Sequence, residues 1–181
     1  MAHLDLALQK DTETYVNEAL LPLIGRLFEK DGRITPVAHL FVTRNKNGFS
    51  FKNGQIGLLI LGPEVMRDPR EKNAFAEAIA QAVVAFRAIA VTLVMESWWV
   101  ESKDPEEGRR MYERGLSIAD HPDRLECVMV MLEHLRFQAI WRAPITRDAE
   151  GKGTLGPFSR FPDTYEMKGR FTDLLHKERF S

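Results

Sequence analysis

Residues 90–101 read Ala90-Val91-Thr92-Leu93-Val94-Met95-Glu96-Ser97-Trp98-Trp99-Val100-Glu101. The first half of this run is almost wholly apolar and rich in β-branched side chains, which is typical of a strand buried in a sheet. The run ends by placing the carboxylate of Glu96 and two tryptophans at the exit of that strand. A second unusual run, residues 119–126, leads into the next apolar segment. A functional site is therefore expected where these two runs lie, although neither run indicates a particular reaction.

Two helices are predicted on the N-terminal side of this strand. Residues 11–30 repeat apolar side chains at helical spacing, with Pro22 predicting a kink and Gly32 predicting the helix end. A second helix is predicted over residues 68–86, capped by Asp68. One face of this second helix is predicted to carry its apolar side chains, Phe75, Ile79, Ala82, Val83 and Phe86.

Further strands are predicted on both sides of the central one. Residues 37–43 and 56–61 form an antiparallel pair in this interpretation, because the asparagines and glycine at 45–48 are typical of a turn. Residues 125–132 and 136–145 form two more strands. The last of these alternates apolar and polar side chains, so one of its faces is expected in the core and the other partly in water.

The predicted elements follow in the order α-β-β-α-β-β-β-α, counting a short terminal helix after Pro162. Short connections between them favour an α+β fold in which a single antiparallel sheet of about five strands carries the helices. This order resembles that of the roadblock, longin and profilin-like group of folds. Because such folds serve as scaffolds, sensors and binding modules, the resemblance implies an architecture without implying one activity.

Length and composition predict a single domain over residues 1–181, with a surface excursion at 102–120 and a flexible loop at 146–160. The formal net charge is −1, so neither nucleic acid nor an anionic membrane is expected as a partner. Cys127 is the single cysteine, which excludes an intrachain disulfide, and we expect a buried, inert thiol. The chain shows no secretory signal and no run near the ~20 apolar residues that cross a bilayer. These features predict a cytoplasmic protein.

Four polar residues near the predicted strand ends are candidates for catalysis: Glu96, His121, Asp123 and Glu126. A carboxylate or a histidine can activate water in a hydrolase, and histidine titrates near neutral pH. A structural interpretation competes with this one and is favoured. In it, Glu96 is an ion-paired group at the end of a strand, and residues 121–123 are a turn.

Three neighbouring residues are candidates for binding: Trp98, Trp99 and Arg124. Successive side chains on a strand point to opposite faces, so one tryptophan is expected in the core. The other is expected either under a helix or in a groove where a large aromatic side chain anchors a partner. Arg124 is suited to clamp an anion through two hydrogen bonds, or to pair with Glu126 at the surface.

Three histidines, His39, His121 and His134, are candidates to converge on a metal ion. The chain has no His-Glu-x-x-His motif and no paired cysteines. A His-Pro pair occurs in the JAB-type zinc proteases, but Ala119 stands where that family has its first histidine ligand. The sequence therefore identifies neither a metal nor a cofactor.

The combination of Glu96-Ser97-Trp98 with His121-Pro122-Asp123-Arg124-Leu125-Glu126 is similar to segments of uncharacterised bacterial and phage proteins. The similarity covers roughly the central third of the chain. Those proteins have no established activity, so the resemblance implies no functional residue.

Three functions remain open from the sequence. The first is a non-enzymatic binding or scaffold module of unknown partner that self-associates into a homo-oligomer through a sheet edge or the first helix. The alternative is a small hydrolase, with or without a metal, whose site lies around Glu96 and His121. The third is a phage-encoded protein that binds a host partner through Trp98 or Trp99.

Overall fold

The computed structural model of the chain describes residues 10–42, 55–60, 69–101, 104, 106–116, 118–134, 137–162, 171 and 174–175. Three sequence predictions lie outside these residues. They are the turn at 45–48, the helix cap Asp68 and most of the terminal helix.

The first helix, α1, covers residues 10–31 and contains a π-helical turn, Val16–Leu20, followed by the α-helical segment Leu21–Asp31. Pro22 lacks an amide hydrogen, and its ring would collide with the preceding turn of a regular α-helix. The π-helical turn, which is wider than an α-helical one, ends just before this proline. Gly32 ends the helix in the left-handed conformation, with φ 67°, as the sequence predicts.

The second helix, α2, spans Pro69–Phe86, and a short third helix, α3, spans Glu107–Glu113. None of the helices that the structure describes is long and apolar enough to cross a membrane. The predicted apolar face of α2 is confirmed for Phe75, Ile79 and Val83, which are buried. Phe86, the last residue of the helix, has 65% of its surface exposed.

Within the residues that the structure describes, seven strands form an antiparallel sheet: β1 Val37–Val42, β2 Gln55–Ile60, β3 Ala88–Trp99, β4 Leu125–His134, β5 Phe137–Arg147, β6 Gly153–Leu155 and β7 Ser159–Arg160. Their order is β2-β1-β3-β4-β5-β6, and β7 also pairs with β5. The α+β class and the antiparallel pairing of the predicted strands are confirmed.

The segment at 146–160, predicted as a flexible loop, contains two strands that the sequence did not indicate. β6 pairs with Ile145–Arg147 and β7 pairs with Trp141 and Arg142. Both strands therefore lie along the edge of β5 that faces away from β4. They supply hydrogen-bond partners to backbone groups that an unpaired edge would leave to water.

The two faces of the sheet carry separate apolar clusters. The face toward α1 buries Val16, Leu20, Ile24, Phe28, Phe41, Ala90, Val94, Val128, Val130 and Trp141, among others. The opposite face buries Ala38, Leu40, Phe75, Ile79, Val91, Leu93, Leu174 and Leu175 with their neighbours. Successive residues of β3 thus alternate between the two helices, as the pleat requires. The continuous apolarity of this strand follows from burial on both faces.

Candidate functional site

Three charged side chains come together at one end of the sheet, on the face toward α1. In β3 the even-numbered Val94 belongs to the α1-side cluster, which places Glu96 on the same face one step further along. The same alternation places Glu126 of β4 and Arg147 of β5 on this face. β3, β4 and β5 are neighbours, so their ends bring the two carboxylates to one guanidinium.

Arg147 is the centre of this charged network. Its guanidinium donates two hydrogen bonds to Glu126, with Nε–Oε2 at 2.7 Å and Nη2–Oε1 at 2.8 Å. It also approaches Glu96 Oε2 at 3.3 Å, the carbonyl oxygen of Gly32 at 3.2 Å and that of Gly151 at 3.4 Å. One side chain therefore ties together three strands, the end of α1 and the segment that leads into β6.

Glu96 is engaged at both carboxylate oxygens. Its Oε1 accepts the backbone amide of Ile34 at 2.7 Å, and its Oε2 faces Arg147. Burial raises the pKa of Glu96 above its usual value; the Ile34 hydrogen bond and Arg147 oppose the shift, and Glu126 adds to it. The carboxylate is thus an ion-paired group that closes the connection after α1, as the structural interpretation predicts.

His121 lies in a second group that is built from the excursion between β3 and β4. A 3₁₀ turn, Ile118–Asp120, precedes it. Its Nε2 is 3.1 Å from Glu107 Oε1, and its Nδ1 accepts the backbone amide of Asp123 at 3.0 Å. With Nδ1 as acceptor, the ring proton is on Nε2 and points to the Glu107 carboxylate. Both ring nitrogens therefore make hydrogen bonds within the segment between β3 and β4.

The four predicted catalytic residues do not meet in one cavity. Glu96 lines a cavity of about 440 Å³ together with Arg147 and the end of α1. His121 lines a different cavity of about 290 Å³ beside α3. Asp123 contacts His121 through its backbone, and Glu126 belongs to the Arg147 network.

The predicted metal ligands are separated as well. His39 is on β1, whereas His134 ends β4, on the other side of β3, where it is stacked on Phe137 with 4.7 Å between ring centroids. Within the described ranges there is no group of three or more His, Cys, Asp or Glu side chains placed to hold a metal ion.

Each of the two tryptophans of β3 has the guanidinium of an arginine over its ring. Trp98 is 40% exposed, and the guanidinium of Arg124 lies 5.1 Å from its ring centre. Trp99 points to the opposite face and is partly buried, with Arg142 at 4.6 Å from its ring and Phe161 in edge contact at 5.0 Å. The prediction that the two point to opposite faces is consistent with this arrangement, and Trp98 keeps a surface open to a partner.

The largest apolar recess among these cavities was not indicated by the sequence. It is a groove of about 480 Å³ between α1 and β1, which we call the α1 groove. Its lining includes Leu20, Leu23, Ile24, Leu27, Asp31, Arg33, Ile34, Val37, His39 and Val94. Leu23 and Leu27 are 38% and 43% exposed, although they belong to the apolar stripe of the helix. The sequence signal for this groove was the width of the apolar stripe on α1, because the stripe is wider than the part of the helix that the sheet covers.

His39 forms one polar end of the α1 groove. Its Nδ1 lies 3.2 Å from the hydroxyl of Tyr15, and burial lowers its pKa and raises that of Tyr15. His39 is therefore neutral at pH 7. The charged end of the groove is formed by Asp31 and Arg33 after the helix terminus.

Comparisons with known proteins give no similarity: no protein-family model, no curated protein and no solved structure matches this chain. The resemblance of residues 96–98 and 121–126 to bacterial and phage proteins therefore stays a prediction. The function must be inferred from the geometry alone.

Proposed function

We propose that this protein is a non-enzymatic binding or scaffold module that self-associates through the edge of its sheet at β2. The observation that carries the proposal is the position of β2. It ends the strand order, and among the described strands it pairs with β1 alone. Its sequence, Gln55-Ile56-Gly57-Leu58-Leu59-Ile60, has no charge and no proline. Soluble proteins usually place charges or prolines on an edge strand to prevent pairing, so an uncharged edge favours association.

Antiparallel pairing of β2 with β2 of a second copy is the geometry that fits this edge. Two-fold symmetric contacts use the same surface on both copies and form closed dimers. In an antiparallel pair only alternate residues of a strand hydrogen bond to each neighbour, so half of the β2 amides point away from β1. These amides would bond to the second copy and join two sheets into one.

The hydrolase alternative has less support from the geometry. Glu96 and His121 line separate cavities, and each is held by its own partners. A water-activating pair needs both groups within hydrogen-bond reach of one reacting atom. Glu96→Gln and His121→Ala test this alternative, and it requires that both changes abolish a hydrolytic activity that the wild type displays.

Hydrogen exchange at two protein concentrations tests the dimer and its location. We expect sedimentation to show a dimer at high concentration that dissociates on dilution. The outward amides of β2 should then exchange faster in the dilute sample, whereas those of β4, which is paired on both sides, should not change. A monomer at every concentration, or a dimer without concentration-dependent protection in β2, would contradict the proposal.

Two matched substitutions support the same experiment. Leu59→Lys places a charge in the middle of the edge strand and should give a folded monomer. Val84→Lys introduces the same charge on α2 at a side chain that is 55% exposed, and it should leave the dimer intact. If Val84→Lys loses the dimer and Leu59→Lys keeps it, the interface lies on α2 and the proposed β2 interface is refuted. If Leu59→Lys fails to fold, the exchange data on the wild type decide.

A further inference from the structure

The α1 groove has the size and lining of a small-molecule site. Its volume of about 480 Å³ falls in the range of roughly 300–1,000 Å³ that is typical of ligand pockets. Its walls are aliphatic side chains of α1 on one side and of β1 and β3 on the other. Leu23 and Leu27 each expose about two fifths of their surface to solvent, and an apolar ligand in the groove would bury that surface.

The groove is elongated along the helix. Leu20 and Leu27 both line it, and a rise of about 1.5 Å per residue separates them by about 10 Å. His39 lies on the strand beside the Leu20 end, hydrogen bonded to Tyr15 of α1. Arg33 and Asp31 lie beyond the Leu27 end, after the helix terminus. An extended chain with one polar end matches this shape better than a compact ring does.

The charges favour an anion at the Arg33 end. Arg33 is exposed and lines both the groove and the cavity that Glu96 lines. Its positive charge helps to lower the pKa of Glu96, whose carboxylate oxygens are held by the Ile34 amide and by Arg147. The opposite end is uncharged, since His39 is neutral there. Asp31 is the one acidic side chain in the groove lining, and its charge opposes an anion there.

We propose that the α1 groove binds an aliphatic carboxylate of medium chain length, with its alkyl chain between α1 and β1 and its carboxylate on Arg33. A guanidinium offers two parallel donors to a carboxylate, which makes this pairing stronger than one to a neutral hydroxyl. The proposal is independent of dimerisation, because it uses the side of α1 and β1 rather than the β2 edge. It adds a ligand class to the binding function proposed above.

Calorimetric titration with decanoate, below its micelle concentration, and with decan-1-ol tests the proposal. We expect saturable binding of decanoate at one site per chain, about tenfold tighter than that of decanol, since one charge-assisted hydrogen-bonded pair has roughly that effect. Arg33→Gln should bring decanoate down to the affinity of decanol and leave decanol unchanged. Lys30→Gln, a neighbouring cation outside the groove lining, should change neither affinity by more than about twofold.

Two further variants separate the alkyl chain from the charge. Leu27→Glu should remove binding of both ligands, and its exposure makes it tolerable for folding. Asp31→Asn should tighten decanoate and leave decanol unaffected. Absence of saturable decanoate binding, equal affinity for both ligands in the wild type, or equal effects of Arg33→Gln and Lys30→Gln would overturn the inference. Sedimentation of the same samples shows separately whether the dimer persists, so the two proposals can fail independently.

Discussion

Arg147 is the side chain whose removal should most clearly disturb the sheet end. Arg147→Met keeps the length and most of the apolar stem but removes the guanidinium. Its two hydrogen bonds to Glu126, at 2.7 and 2.8 Å, and its contact with Glu96, at 3.3 Å, would be lost. Two carboxylates would then face each other without the cation that separates them.

The expected cost follows from the burial of the network. Breaking a fully buried ion pair by removing one partner costs about 3–5 kcal/mol, whereas an exposed pair contributes about 0–1 kcal/mol. The side chains of Arg147, Glu96 and Glu126 are 30%, 25% and 22% exposed, so the network lies between these limits. We expect Arg147→Met to lower the free energy of unfolding by about 2 kcal/mol, which corresponds to about 4–8 °C in Tm for a domain of this size.

Urea unfolding at pH 7, followed by tryptophan fluorescence, measures this difference. Arg160→Met is the matched control, because Arg160 forms an ion pair with one carboxylate, that of Glu13, at 3.1 Å near the surface, and we expect a loss below about 1 kcal/mol. A double-mutant cycle of Arg147→Met with Glu126→Gln should give a coupling of about 1–2 kcal/mol. A loss below about 0.5 kcal/mol in Arg147→Met, or a coupling near zero, would refute the argument that this network stabilises the sheet end.

Three other predictions concern single positions. The pKa of Glu96 is raised, which means that the folded state binds the proton of this carboxyl group more tightly than the unfolded state does. The contribution of Glu96 to stability therefore falls as pH rises from about 4.5. In urea titrations Glu96→Gln should gain stability relative to the wild type between pH 4.5 and 7, and a difference that is constant with pH would contradict this. Burial raises the pKa of Cys127 to about 11, so a thiol reagent at pH 8 should modify it only after unfolding, and rapid labelling of the folded protein would count against the buried position. Gly153→Ala would place a Cβ 2.8 Å from the buried Phe28 ring, which should lower the stability by about 1–3 kcal/mol. Gly25→Ala has open space around its Cβ and should be neutral or stabilising in thermal unfolding. Equal Tm values for the two variants would show that the structure accommodates the Cβ at position 153 without cost.

The sequence was sufficient for most of the architecture because local patterns carry it. Helical spacing indicated α1 and α2, and glycine at position 32 indicated where α1 ends. Alternation along residues 137–145 identified the buried face of β5, where Ala139, Trp141 and Ala143 are all buried. β6 and β7 were missed, since each is too short and too polar to show a strand pattern by itself. They exist because the edge of β5 offers backbone groups to pair with.

The candidate site shows the limit of sequence reasoning more clearly. Glu96 and Glu126 were both candidates from the sequence, but Arg147, which contacts both, lay within the segment at 146–160 that was predicted as a flexible loop. The pairing depends on the register of three strands, and a shift of one residue would send each side chain to the other face. His121 was grouped with Glu96 because both flank the same excursion, yet that excursion folds onto itself through Glu107.

The sequence by itself determined the α+β class, the buried face of β5 and the burial of Cys127, because each depends on residue type and period along a single segment. Only the tertiary structure decided which charges pair, which histidines stay apart and where an apolar groove remains open. Those features depend on the distance between segments that are far apart in the chain. The α1 groove illustrates the reason: the leucine stripe of α1 is local, but whether the sheet covers it depends on where β1 lies beside it.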